Sequence, residues 1–517
     1  MVWESELEEL KHRRQLAEQM GGPEGIARQH SHGKLTVRER IAALADPGSF
    51  QELGGLAGRG TYEGNKLVGF TPANSVGGLC RINGRKVVLS GGDFTVRGGA
   101  ADAAIGGKVY YTQELALEWR LPYIRLLDAT GGSVRTFEII GRTYIPDNPG
   151  TAAATKLLGI VPVVSAVLGS VAGLPAVEAC MAHFNLMVKG TSQVFAGGPP
   201  VVKAALGYDI AKEELGDERT QVYQGGVIDN VAKNEDEAFD MIRRFLSYMP
   251  DNVWEMPPRA EPKDDPNRRE EELLSIIPRE SRKGYSPHKI LKLVLDQDSF
   301  FEIAPYYGRS RVIGLGRVNG YPVGAMINNP MFLGGSMDVA AGDKVIRFMQ
   351  LCNTFHLPMV YFADEPGFMV GLDAQKQGIV RAGARIVCAT CDTQMPWITF
   401  IIRQLYGVAG GLHLRFGGMY RRYAWPSANW GSMHIEGGAM AAYRREIEAA
   451  PDPDAKRQEI ENRLKAVASP FRSAEAFDIE DIIDPRDTRP LLCDFVETAQ
   501  KTIKTQLGPT SSLSYRP

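Results

Sequence analysis

The chain has 517 residues, and 59 basic against 61 acidic side chains leave a formal net charge of −2. At about 150 residues per domain that length allows two to four domains, and 44% hydrophobic with 23% charged residues excludes a disordered chain. The near-neutral balance argues against a nucleic-acid or membrane-surface specialist, and six cysteines in so long a chain are no disulfide framework, so a reducing compartment is expected, cytoplasm or mitochondrial matrix.

Residues 1–20 are charged throughout and lack the apolar core of a signal peptide. His30-Ser31-His32 lies in a basic segment and is read as solvated rather than metal-bound. Thr36-Val37-Arg38-Glu39 has the spacing of a helix capping box. KVVLS (86–90), YIRLLD (123–128) and VPVVSAVL (161–168) read as strands, with helical spacing over 104–119 between the first two. The uncharged stretch 157–177 is long enough to cross a bilayer. Gly159, Pro162, Gly169, Gly173 and Pro175 break it, so it reads as a buried strand, a glycine turn and a helix start. Residues 256–284, rich in proline and charge, read as a linker between domains at 1–255 and 285–517. Beyond it VGAMIN (323–328), MVYFAD (359–364) and WITFII (397–402) are again strand-like. Alternating apolar strands and helices argue for an α/β fold.

The second domain repeats the first. Asn83-Gly84 returns as Asn319-Gly320, an offset of 236, and the same offset carries Gly98-Gly99 to Gly334-Gly335, Asp128 to Asp364 and Gly131 to Gly367. Two residues of slippage later, Gly173 matches Gly407. No register holds so long by chance, so the chain is two copies of one fold.

Side chains of the usual catalytic kinds are missing. There is no GxxxxGK[ST] loop, no HExxH and no GxSxG, and the eight histidines are scattered. Cys388-Ala389-Thr390-Cys391 is a lone CxxC in a predicted buried helix. A structural zinc site needs four ligands, so these are read as two small core residues, and no metal is expected. What remains are two glycine turns at strand ends, Ala172-Gly173-Leu174 and Tyr406-Gly407-Val408-Ala409. Such a turn leaves backbone N–H groups free to hold a developing oxyanion. A single turn would be read as tight packing alone; two at equivalent places favour function.

The motifs, taken together, resemble those of a known family. NNPMFLGGSMD, FADEPGFMVG, RQLYGVAGG and YAWPSAN, with HGKLTVRERIAALADPGSF, GDFTVRGG, LLDATGG and AGGPPVVKAALG in the first half, are similar to the carboxyltransferase (β) subunit of biotin-dependent acyl-CoA carboxylases, the propionyl-CoA and methylcrotonyl-CoA carboxylase family. The resemblance runs from about Gly33 to the C-terminus. It implies two tandem crotonase-like domains, a ββα superhelix rather than the doubly wound sheet that the strand rhythm alone suggests. It also implies a ring-shaped homohexamer, a trimer of dimers, with sites where the N-domain of one subunit meets the C-domain of another.

The implied chemistry moves a carboxyl group from carboxybiotin to the α (or vinylogous γ) carbon of an acyl-CoA thioester. The substrates supply their own base and nucleophile, and the protein stabilises two oxyanions. By position Gly173 and Leu174 fall to the acyl-CoA thioester, and Gly407, Val408 and Ala409 to biotin. Gly131, Gly132, Gly367, Phe368 and Tyr420 fall to substrate binding. Tyr420 stands three residues before Tyr423 of YAWP, where propionyl-specific members carry an aspartate. The chain departs from the pattern in having Gly173-Leu174-Pro175 where two glycines are usual, Gly407-Val408 where YGGA is usual, and Ala129-Thr130-Gly131-Gly132-Ser133-Val134 in place of SGGAR.

Two other readings stay open: a biotin-dependent acyl-CoA decarboxylase carboxyltransferase, and a non-catalytic companion subunit of a carboxylase complex. No AMKM-like biotin-attachment site and no ATP loop is visible, so biotin is expected on a partner carrying the biotin carboxylase and biotin carrier functions. The expected ligands are that biotin and coenzyme A as part of the substrate, with no nucleic acid and no membrane among the partners.

Overall fold

The repeat of residues is a repeat of strands. The computed structural model describes residues 2–146, 150–280, 283–414 and 417–510. The chain divides between Glu255 and Met256 into two units. The first unit holds β1 (Gln51–Glu52), β2 (Gly58–Glu63), β3 (Lys66–Pro72), β4 (Ser75–Ile82), β5 (Arg85–Gly92), β6 (Tyr123–Ala129), β7 (Val163–Ala172), β8 (Phe184–Val188), β9 (Gln193–Phe195) and β10 (Asn230–Ala232). Its sheet runs β1-β4-β5-β6-β7-β8-β10, with β9 paired to the far end of β7 and β2–β3 forming a separate hairpin.

The second unit holds β11 (Phe301–Ile303), β12 (Arg311–Val318), β13 (Tyr321–Asn328), β14 (Met359–Glu365), β15 (Trp397–Tyr406), β16 (Tyr420–Ala424), β17 (Asn429–Gly431) and β18 (Asp481–Ile482). Its sheet order is β11-β12-β13-β14-β15-β16-β18, with β17 on β15. That is the first sheet strand for strand. In both sheets the first three strands pair antiparallel and the rest parallel. The fold is therefore a duplicated mixed α/β arrangement, as the resemblance implies, and not a doubly wound parallel sheet.

Local sequence explains the antiparallel start. Asn83-Gly84 joins β4 to β5 and Asn319-Gly320 joins β12 to β13, and in both pairs φ is +49° and +79°. Two positive φ values in a two-residue loop are what a right-twisted hairpin needs, and Asn-Gly supplies them. Each turn is closed from outside by one carboxylate: Asp46 accepts the N–H groups of Asn83 and Gly84, and Asp296 those of Asn319 and Gly320. The parallel strands are buried on both faces, Val163, Val164, Ala166, Val167 and Leu168 among them. Burial on both sides requires continuous apolar runs rather than alternation. The second core packs Leu291, Val323, Ile327, Phe362, Phe400 and Trp425 against Leu492, Phe495 and Val496 of the helix Thr488–Gln506. At about 1.5–3 kcal/mol per buried side chain, this face holds that helix in place.

The local readings carry over into three dimensions in most places. The capping box at Thr36–Glu39 forms both of its reciprocal bonds. The 104–119 periodicity corresponds to a helix Gly106–Trp119. The stretch 157–177 is β7, a turn at Gly173 and the start of the helix Leu174–Cys180, and no helix among the described residues is long and apolar enough to cross a membrane. Residues 256–280 pack with the second unit. Leu273 sits in its core, Arg268 donates to the carbonyls of Leu293 and Leu295, and Ala260 N–H donates to Gly320 O.

The reading of Cys388 and Cys391 as core residues is corrected. They do lie on a helix, Ile379–Cys391, but its buried stripe is Ile379, Ala382, Gly383, Ile386 and Thr390. Both cysteines fall off that stripe and are exposed. The segment is apolar enough to read as buried all round, yet only one face meets the unit.

Candidate functional site

In the first unit β7 ends in Gly173, whose φ of 67° and ψ of −133° suit a residue without Cβ. The helix Leu174–Cys180 starts there, and the first N–H groups of a helix have no intrahelical acceptor. Few donors are left over here. Gly173 N–H goes to Phe195 O, Pro175 has no N–H, and those of Ala176 and Val177 return to Gly173 O at 3.0 and 3.2 Å. That leaves the Leu174 N–H as the donor this turn can offer.

Gly131 lies beside it. Its φ is 71°, it bridges to Ala100, and a Cβ there would come within 2.5 Å of Ala172 O. Gly132 is exposed next to it. The structure thus brings Gly131, Gly173 and Leu174 together at the C-terminal ends of β6 and β7. The same end opens into a cleft of about 670 Å³ lined by Arg28, Lys34, Arg97, Arg135 and Lys212. Asp102 and Glu213 line it as well, so five cations face two carboxylates and the cleft is net basic. Lys34 leans over the Phe94 ring at 4.4 Å and pairs with the buried Asp128 at 3.0 Å, while burial pulls its pKa down.

In the second unit Gly407 follows β15 with φ 64° and opens a one-turn helix, Gly407–Gly410. Gly411 N–H returns to Gly407 O and Leu412 N–H to Ala409 O, so the first-turn donors at Val408 and Ala409 have no intrahelical acceptor. The Val408 side chain is 67% exposed and Ala409 is buried. A Cβ added at Gly367, whose φ is 124°, would stand 3.8 Å from Tyr406 O, so the Gly367 and Gly407 turns adjoin as Gly131 and Gly173 do. Phe368 bridges to Met337 and rests its ring against Gly383 of the neighbouring helix.

Beside Tyr406 a cleft of about 1030 Å³ is lined by Arg403, Gln404, Asn429, His434 and Lys465. The Tyr406 hydroxyl donates to Asn429 Oδ1 at 2.8 Å, and its ring lies 4.1 Å from that of His434. His434 Nε2 donates to Pro366 O at 2.8 Å, tying the Gly367 turn to the Gly407 turn. Burial raises the Tyr406 pKa, so the phenol stays neutral.

Tyr420 is not beside either turn of its own unit. It opens β16 opposite Trp397, the first residue of β15, whereas Gly407 follows the last. It lines a smaller cleft of about 270 Å³ with Tyr423, Glu480 and Asp494. His30, read as solvated, is exposed and bonds Glu39 at 2.9 Å. Among the described residues no group of three or more His, Cys, Asp or Glu could hold a metal ion.

Sequence reasoning missed the basic cleft, whose five cations come from four separate segments, and the Tyr406–His434 contact, which no local spacing announces. It also missed His413. This ring closes the turn after Gly410: Nδ1 bonds Gly410 O at 2.7 Å, and Nε2 is buried with no partner among the described residues. Burial lowers its pKa from 6.5 to about 4. Because the unfolded chain binds the proton more readily, its contribution to stability is complete above pH 6.5 and is lost as pH falls toward 4. That shift corresponds to about 3 kcal/mol. Thermal unfolding followed across this window shows the loss, and His413→Gln flattens it; an unchanged slope contradicts the assignment.

Residues 28–509 match the family described as carboxyl transferase domain. The carboxyltransferase subunit of propionyl-CoA carboxylase from Haloferax mediterranei is 36% identical over 499 residues, covering 95% of each chain. The methylmalonyl-CoA carboxyltransferase 12S subunit of Propionibacterium freudenreichii subsp. shermanii is 34% identical, covering 96% of this chain and 94% of that one. Among solved structures, a transcarboxylase 12S hexamer with methylmalonyl-coenzyme A and methylmalonic acid bound superimposes with a TM-score of 0.86 at 32% identity, covering 99% of this chain and 96% of that one.

Proposed function

The chain belongs to the carboxyl transferase family, and from that premise we propose that it moves a carboxyl group between a biotin ureido nitrogen and the α (or vinylogous γ) carbon of an acyl-CoA thioester. The observation that carries this reading is the pair of duplicated turns at strand ends, with Leu174 N–H left over at the first and Val408 and Ala409 N–H at the second. Two substrates each develop negative charge on a carbonyl oxygen in such a transfer, and two donor turns meet that need without any catalytic side chain.

We assign the Gly173-Leu174 turn to the thioester oxygen, with Leu174 N–H as the donor and Gly173 as the residue that aims it. The basic cleft at the same end of the first sheet supports that choice, since coenzyme A brings several phosphate charges. We assign Gly407, Val408 and Ala409 to the ureido oxygen of biotin. The cleft next to Tyr406 suits a small, neutral, hydrogen-bonding bicycle: Asn429, Gln404 and His434 offer amide and imidazole groups, and an added methyl at Gly407 would meet nothing closer than 3.7 Å. When bound, biotin supplies the carboxyl group and the site for the α-proton. The chain's own residues hold the two oxygens and the two substrates. In the same proposal biotin arrives on a second polypeptide, six copies of this chain form the working assembly, and Gly131, Gly132, Gly367, Phe368 and Tyr420 line the substrate.

Reconstitution with a biotinylated carboxylase partner, and then a screen of acyl-CoA thioesters for ATP-dependent bicarbonate fixation, tests the reading. Fixation on at least one thioester is expected, and Tyr420→Ala redistributes kcat/KM among thioesters. Fixation that occurs equally well without this chain contradicts the proposal. Light scattering on the purified chain gives about six times the 56.7 kDa of one copy; an active monomer refutes the assembly.

A further inference from the structure

The duplication extends to a feature that the transfer chemistry does not use. In the first unit Leu127 pairs with Val167 and Ala129 with Val171, so one residue, Asp128, faces three, Leu168-Gly169-Ser170. In the second unit Ala363 pairs with Ile401 and Glu365 with Leu405, so Asp364 faces Ile402-Arg403-Gln404. The same bulge of two extra residues thus stands three residues before each glycine turn. At the bulge each strand changes partner. β7 pairs with β8 as far as Val167 and with β9 from Ser170, and β15 pairs with β16 as far as Ile401 and with β17 from Gln404. A bulge bends its strand and re-aims the residues beyond it. In both units those residues lead directly into the donor turn.

Each bulge is filled by the facing carboxylate, and both carboxylates are fully buried. Asp128 takes Arg40 Nη1 and Lys34 Nζ at 3.0 Å and Gln29 Nε2 at 3.0 Å. It lies so close to Gly169 that a Cβ there would meet Asp128 Oδ1 at 2.0 Å. Asp364 takes Arg403 Nε at 3.1 Å, the Tyr285 hydroxyl at 2.8 Å and the bulge's own Gln404 N–H at 3.1 Å. The bulge carbonyls are bonded from outside the ladder: Leu168 O by Arg40 Nη2 at 2.7 Å and Ile402 O by Ser427 Oγ at 2.8 Å. The cations come from unrelated segments, while the carboxylate and the bulge stay in register.

We infer that Asp128 and Asp364 are positioning residues that hold the two bulges open and so aim the Leu174 and Val408 N–H donors. They touch neither substrate. Asp128 acts on the thioester turn and Asp364 on the biotin turn, which makes their effects separable. The inference rests on the carboxyl transfer proposed above for its kinetic consequence, though not for its structural one.

Two readouts on the full-length assembly test it. One is amide hydrogen exchange at 172–176 and 406–410. The other is transfer of the carboxyl group from methylmalonyl-CoA to free biotin, in which a C–C bond breaks, an N–C bond forms and the biotin N–H proton passes to the thioester α-carbon. Gly169→Ala, which adds one methyl against Asp128, speeds exchange at 172–176 only. It lowers kcat by on the order of 10- to 100-fold, as a shift of about 1 Å in a donor does, and leaves the biotin KM in place. Asp364→Ala speeds exchange at 406–410 only and raises the biotin KM, and Asp364→Asn, which keeps one oxygen for Gln404 N–H, recovers part of both. Where Asp364→Ala does not fold, Asp364→Asn against the native chain carries the same comparison. Unchanged exchange at both turns in folded variants overturns the inference, as does equal loosening of both turns by either variant. A native chain that transfers no carboxyl group overturns the proposed function, and the exchange pattern then still decides the positioning role.

Discussion

Val408→Pro lowers carboxyl transfer by on the order of 10²–10³, the range seen when one oxyanion donor is removed, and leaves the unit folded. The substitution is chosen because a backbone N–H cannot be deleted by trimming a side chain. Val408 stands in the first turn of Gly407–Gly410, where proline is tolerated because its missing N–H has no intrahelical partner there. The residue before it is Gly407, which has no Cβ to clash with the new ring. The Val408 side chain is largely exposed, so the ring has room. Charge, clefts and the His434–Pro366 bond stay as they are. Steady-state kinetics with varied biotin and varied thioester show a drop in kcat with the thioester KM unchanged. A variant as active as the native chain removes Val408 from the oxyanion site.

Gly173→Ala lowers transfer by on the order of 10²-fold through the backbone alone. Apart from its two chain neighbours, no heavy atom of the described residues lies within 4 Å of the position an added Cβ would take, so the side chain has room. The cost lies in φ 67° with ψ −133°, a region open essentially to glycine, at about 1–3 kcal/mol for another residue. Turning the peptide between residues 173 and 174 relieves that strain, and the Leu174 N–H turns with it. The variant keeps its melting temperature within several degrees while kcat falls and biotin KM holds. Retention of full activity shows that the Leu174 donor is not aimed by this glycine.

What the sequence made legible was short in range or repeated. The capping box at Thr36 and the glycine turns are each set by two to four neighbouring residues, and an offset of 236 exposed the duplication without any structure, though the repeated Asn-Gly pairs were read only as its markers and not as hairpins. What it hid was long in range. Arg28, Lys34, Arg97, Arg135 and Lys212 form one basic cleft only because separate segments converge on one sheet end. Asp128 and Asp364 were visible as a repeated letter, but nothing local says that each faces three residues of the next strand. Cys388 and Cys391 misled because a helix that is apolar in sequence buries one stripe, not its circumference. The segment 256–280 reads as a spacer by composition, yet Leu273 and Arg268 tie it to the second core.

The central claim is that two duplicated backbone turns transfer a carboxyl group between an acyl-CoA thioester and biotin. Its most direct test traces labelled carboxyl carbon from methylmalonyl-CoA and related thioesters to free biotin, using this chain alone without ATP or a second polypeptide. Label is expected in biotin with the native chain, and its near-complete loss in both Val408→Pro and Gly173→Ala. Label that never leaves any thioester, or transfer that survives undiminished in both variants, contradicts the claim.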